Sequence, residues 1–227
     1  MNRRLALVIL PLLLAVAGCT SGAPDDDPAP RPAAAERPSP FRDCATLSTA
    51  PTAAPSGSGT ATPGTATPGA TASGAATPGA TASAAGGQAL PELTLSCFTG
   101  GAPVVLREVA GPAVINVWAS WCPPCRKELP AFQRLSERAG GQLQVVGVNS
   151  RDSRSGAQSI GEDFGVRFPI LVDQGEALQR ELKRNAIPLT LFVDADGRIR
   201  HIDASGALDD AQLAKLVRQH LGLTVPA

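Results

Sequence analysis

The chain has no tyrosine, one methionine, two histidines, and only six phenylalanines and two tryptophans among 227 residues. It has no net charge, since 20 Lys and Arg balance 20 Asp and Glu. Between Asp43 and Glu92 there is no charged residue at all, only a tract dominated by Ala, Thr, Pro, Gly and Ser. These absences exclude several classes. Seven of the aromatic side chains lie at or after Phe98, and aromatics carry much of a core. A sizeable core is therefore confined to the last ~140 residues, enough for one domain and not for a two-domain enzyme. Residues 90–227 hold 15 acidic and 15 basic side chains, so no electrostatic case for a nucleic-acid partner exists. The apolar run Leu5–Gly18 is shorter than the ~20 residues needed to cross a bilayer.

What that run does resemble is a secretory signal, with Arg3 and Arg4 before a short apolar stretch. It closes with Leu14-Ala15-Val16-Ala17-Gly18-Cys19, which is similar to a bacterial lipobox. The expected outcome is cleavage after residue 18 and lipidation of Cys19, anchoring the protein outside the cytoplasm where disulfides persist. An ordinary cleaved signal, with Cys19 an incidental thiol, is the alternative.

Residues 19–89 then form a low-complexity linker. Its imperfect ten-residue repeat, Ala66-Thr67-Pro68-Gly69 returning as Ala76-Thr77-Pro78-Gly79, has no apolar face to bury. Such a tract cannot offset its ordering entropy, and disorder is expected. One island, Phe41 to Leu47, contains Cys44; the alternating segment Leu93–Phe98 contains Cys97. With Cys19 lipidated, four cysteines allow three connectivities. Cys122 and Cys125 form a unit of their own, which leaves Cys44–Cys97 as the economical structural disulfide. Two unpaired thiols are the alternative. If the bridge forms, residues 41–47 dock on the domain and the uncharged tract becomes a looped-out insertion.

The domain, residues 90–227, reads as strands alternating with helices. Ala113–Trp118 and Leu143–Val148 are nearly all apolar, as central parallel strands are. Helices are predicted over Ile160–Phe164 and Ala177–Leu182, with a strand over Pro169–Val172 between them. Leu189–Val193 and Ile199–Ile202 flank the turn signal Asp194-Ala195-Asp196-Gly197. Leu208–Leu221 closes the domain as an amphipathic helix.

Trp121-Cys122-Pro123-Pro124-Cys125 stands where the first strand gives way to a helix. Free backbone N–H groups and the helix dipole stabilise a thiolate there. The two prolines suit a first turn, whose N–H groups are unpaired anyway. Cys122 is then the exposed nucleophile, and Cys125, one turn inward, resolves the mixed disulfide. Half of a zinc site is the main alternative. It lacks a second Cys-x-x-Cys or Cys-x-x-His, and His201 and His220 lie far downstream. No metal and no cofactor beyond the redox-active disulfide are expected.

The stretch Asn116-Val117-Trp118-Ala119-Ser120-Trp121-Cys122-Pro123-Pro124-Cys125-Arg126-Lys127-Glu128-Leu129-Pro130, with the later Ile187-Pro188-Leu189-Thr190-Leu191-Phe192-Val193, resembles the TlpA/ResA-like extracytoplasmic thiol-disulfide oxidoreductases of the thioredoxin superfamily. The resemblance covers about residues 90–227. It implies a thioredoxin-like α/β fold, a central mixed sheet flanked by helices, with an N-terminal hairpin and an inserted αβ element within 150–175. It also implies a cis Pro188 facing the cysteine pair, with the Ile187 backbone pairing with an extended substrate. Glu128 aligns with the family's acidic residue, and falls on the same helical face as Cys125; a surface glutamate is the alternative. Asn116 replaces thioredoxin's buried acid, which shifts proton handling toward Glu128. Trp118 and Trp121 are expected to pack in the core around the site, Trp121 also touching substrate. Leu189, where the family often has Thr, is expected to make the substrate face more apolar.

The function expected is a membrane-anchored oxidoreductase acting on thiols or disulfides of exported proteins, as a reductant, for example of apocytochrome c. As a reductant it needs a transmembrane electron donor. A monomer is expected. A thiol oxidase, a peroxiredoxin-like peroxidase and a non-catalytic binding lipoprotein are the alternatives.

Overall fold

A computed structural model of the chain describes residues 37–51 and 87–227; the signal segment, Cys19 and most of the uncharged tract lie outside the described residues. The described elements are β1 (Gln88–Ala89), β2 (Thr94–Cys97), β3 (Val104–Val105), β4 (Ala113–Trp118), α1 (Pro123–Arg138), β5 (Gln144–Ser150), α2 (Arg154–Asp163), β6 (Ile170–Asp173), α3 (Ala177–Glu181), β7 (Leu189–Val193), β8 (Arg198–Asp203) and α4 (Asp210–Leu221). Eight strands form one mixed sheet in the order β1-β8-β7-β4-β5-β6-β2-β3. Only β4–β5 and β5–β6 are parallel. This is a thioredoxin-like sheet carrying an N-terminal β2–β3 hairpin and an α2–β6 insertion.

The central strands are buried on both faces, and alternation decides which side chain serves which face. From β4, Val114 and Trp118 enter one core with Leu129 and Phe132 of α1, Phe192, and Leu213 and Val217 of α4. Ala113, Ile115 and Val117 enter the other, with Leu178, Leu182, Leu189 and Leu191. The inner face is tight at Gly147 of β5: a Cβ there would strike Ile170, Trp118 and Phe168. Glycine is required for the close approach.

The domain begins earlier than residue 90. Residues 38–51 pack on it, a longer docked segment than 41–47, and β1 pairs with β8. The Phe41 ring meets Phe98 edge-on at 4.8 Å, and Leu47 is 1% exposed. Phe41 joins one core and Leu47 the other; each such burial is worth about 1.5–3 kcal/mol. Backbone bonds tie the segment down, Arg42 N–H to Arg167 O at 2.8 Å and Ala110 N–H to Leu47 O at 2.8 Å. A disulfide joins Cys44 to Cys97 with their Cα atoms 5.9 Å apart.

Two helix boundaries differ from the periodicity. Helix α2 starts at Arg154, because the Ser153 side chain accepts the Gly156 N–H as its cap; its first turn is polar and invisible to an apolar pattern. Helix α4 starts at Asp210, with Asp209 and Gln212 forming a reciprocal capping box. Leu208 therefore precedes the helix.

Candidate active site

Strand β4 ends at Trp118, and the chain turns through Ala119, Ser120 and Trp121 into α1. Cys122 is the N-cap of that helix, and Pro123 and Pro124 fill its first turn. Cys122 is disulfide-bonded to Cys125, with Cα atoms 5.3 Å apart. The Cys125 N–H donates to the Cys122 sulfur at 3.3 Å. In the dithiol state the same N–H and the helix dipole stabilise negative charge on that sulfur.

Cys122 is less open than the sequence suggests. It is 3% exposed, and Cys125 is 0% exposed. The cover comes from the loop before β7: the Ile187–Pro188 bond is cis, and the Ile187 carbonyl oxygen lies 3.9 Å from the Cys122 sulfur. Leu189 belongs to the core and is fully buried, so it cannot make the substrate face more apolar; strand alternation turns it inward.

The two tryptophans separate. Trp118 is fully buried, whereas Trp121 is 53% exposed, which corrects the expectation that both pack in the core. Trp121 donates through Nε1 to the Arg151 carbonyl at 2.9 Å. Its ring forms one wall of an open cleft of about 270 Å³ whose other walls include Arg151, Glu176, Gln179 and Ile187. Arg126 and Lys127 are exposed on α1.

Glu128 is not at the surface. It is 0% exposed, and its carboxylate accepts Asn116 Nδ2 at 2.6 Å and the Leu208 N–H at 3.2 Å. Arg134 grips Asp210 with Nε at 2.7 Å and a terminal nitrogen at 2.6 Å, which fixes the start of α4 against α1 and brings Leu208 to the carboxylate. Burial pushes the Glu128 pKa up to about 7, against the pull of the bonds from Asn116 and Leu208. The proton can thus leave or return near neutrality, one helical turn from Cys125.

Some features escape sequence reasoning. Asp152 is 8% exposed and accepts both the N–H and the hydroxyl of Ser120. The only signal for it is the run Asp152-Ser153 at a strand-to-helix junction. His201 and His220, distant in sequence, stack face to face with ring centroids 4.1 Å apart. Burial and the neighbouring His201 both lower the His220 pKa.

Comparison with known proteins agrees with this geometry. Residues 85–217 match the model of the Redoxin family. The thioredoxin-like protein YneN of Bacillus subtilis is 29% identical over 119 residues, 51% of this chain and 69% of that protein. The thiol-disulfide oxidoreductase ResA of Halalkalibacterium halodurans is 28% identical over 108 residues, 47% of this chain and 61% of that protein. The chain thus spans less than two thirds of that ResA. A secreted Mycobacterium tuberculosis disulfide oxidoreductase homologous to Escherichia coli DsbE superposes with a TM-score of 0.51 at 23% identity, covering 56% of this chain and 96% of that one; this likeness concerns the fold. With a family match over more than half its length, the chain belongs to the redoxin family.

Proposed function

We propose that the protein works outside the cytoplasm, held to the outer face of a bacterial cell membrane through lipidated Cys19, and reduces disulfides of exported proteins, apocytochrome c among them. The observation that carries the chemistry is the Cys122–Cys125 pair at a helix N-terminus, faced by the Ile187 carbonyl. The lipobox-like segment supports the anchor, and the resemblance to TlpA/ResA-like proteins supports the direction.

In the dithiol state, the Cys122 thiolate attacks one sulfur of the substrate disulfide. A mixed disulfide forms and the other substrate sulfur leaves as a thiolate. Glu128, as carboxylate, takes the proton of Cys125. The Cys125 thiolate then attacks the Cys122 sulfur, closing the Cys122–Cys125 disulfide and releasing the second substrate thiol. Two electrons pass to the substrate, and a transmembrane donor must return them. Trp121 and the Ile187 backbone, next to Pro188, hold the substrate segment beside Cys122, and the Cys44–Cys97 bridge is structural.

The test is a Cys125→Ser variant in cells. It should accumulate mixed disulfides on Cys122, cytochrome c maturation proteins among them, while Cys122→Ser captures nothing and reduces no insulin. A reduction potential near about −270 mV supports the reductant direction, and one near about −120 mV overturns it in favour of an oxidant.

A further inference from the structure

We infer that Asp152 is a positioning residue for Cys122: its carboxylate clamps the turn that carries the nucleophile onto the neighbouring β5–α2 junction. The inference rests on Cys122 being the attacking sulfur.

Asp152 stands just before α2 and reaches across to the β4–α1 turn. Its Oδ2 accepts the Ser120 N–H at 2.5 Å and Asn149 Nδ2 at 2.9 Å. Its Oδ1 accepts the Ser120 hydroxyl at 2.6 Å and the Ser153 N–H at 2.8 Å. Each oxygen therefore receives one backbone N–H. A backbone N–H cannot be turned round to accept, so the site demands acceptors on both arms and only a carboxylate supplies them. An amide of the same shape would set its NH₂ against one of those N–H groups.

A second, independent feature fixes the same turn. A Cβ at Gly156 would lie 2.6 Å from the Ser120 hydroxyl, so glycine leaves room for α2 to close on Ser120. Trp121 adds its bond to the Arg151 carbonyl. Residues 120 and 121 are thus anchored to residues 151–152, and Cys122 follows at once. The direction of its sulfur toward the Cys125 N–H depends on that anchorage, because Cys122 is the helix N-cap and has non-helical backbone angles.

Position and charge predict opposite shifts, which makes the idea testable. If Asp152 acted only through its charge, neutralising it would lower the thiolate pKa of Cys122. If it positions the turn, Asp152→Asn loosens the sulfur from its N–H donor and raises that pKa. The experiment follows the alkylation rate of Cys122 by iodoacetamide against pH in the reduced full-length protein, with insulin reduction alongside. Asp152→Asn should move the midpoint upward and slow insulin reduction by about tenfold. Ser120→Ala, which keeps the charge and one of the two ties, should move both in the same direction by less. An unchanged or lowered midpoint in a folded Asp152→Asn protein overturns the inference. Should that variant not fold, an unchanged midpoint in Ser120→Ala overturns it and a raised one supports it. A wild-type protein without insulin reductase activity would instead refute the role of Cys122.

Discussion

Asn116 on β4 donates its side-chain amide to Glu128 on α1 at 2.6 Å, and both side chains are fully buried. A neutral amide thus sits where it steadies the ionised form of a carboxylate that burial disfavours. The balance leaves Glu128 near a pKa of about 7.

Removing the donor tips that balance. Asn116→Leu should raise the Glu128 pKa above its present value, because the lost bond favoured the charged form. The release of substrate from the mixed disulfide, followed by stopped-flow, should then need a higher pH to reach its plateau. Glu128→Gln should slow that step by about 10²-fold and erase its dependence on pH near 7. An unchanged profile in both variants removes Glu128 from proton transfer.

The same group ties stability to pH. Its folded pKa of about 7 lies above the ordinary 4.5, so between these values the folded protein keeps a proton that the unfolded chain releases. The stabilisation is complete below about pH 4.5 and fades as pH rises through about 7. The difference in unfolding free energy between the wild type and Glu128→Gln should therefore shift against the wild type by about 3 kcal/mol from pH 4.5 to 8. Urea titrations of both proteins at each pH measure this.

The Cys44–Cys97 bridge closes a separation of 53 residues. Replacing both cysteines by alanine should cost about 4 kcal/mol, largely through the unfolded chain. Phe41 and Leu47 should still hold the segment against the core. Thermal melts give the first quantity, and proteolysis near residue 51 reports release of the segment.

Trp121 is half-exposed, so truncating it should test contact with substrate more than folding. Trp121→Ala should lower kcat/KM for a protein disulfide by about tenfold, as expected of an aromatic anchor. Its lost bond to Arg151 should cost only about 1 kcal/mol of stability. Turnover of a small disulfide such as oxidised glutathione should change far less. Equal losses on both substrates would mean that Trp121 acts through its bond to Arg151, by anchoring the Cys122 turn, and not through substrate contact.

Much of this was legible in the residues. The nearly all-apolar runs at Ala113–Trp118 and Leu143–Val148 read as central strands, since a short run with so few polar residues must hide both faces. The Cys-Pro-Pro-Cys spacing after the first of them located the helix mouth. The parity of the remaining cysteines singled out Cys44 with Cys97. These signals are local or countable, and a sequence displays them directly.

The tertiary structure decided what depends on elements distant along the chain. Glu128 is buried and titrates near neutrality because α4 and β4 close over it, a fact its own helix does not carry. Trp121 faces solvent and Leu189 faces the core because one lies in a turn and the other in a strand, although both flank the site in sequence. The demand for a carboxylate at residue 152 arises only when a turn 32 residues away brings its N–H within reach. A single sequence shows which groups can ionise or donate; only packing decides which of them lose water, and that loss sets their chemistry.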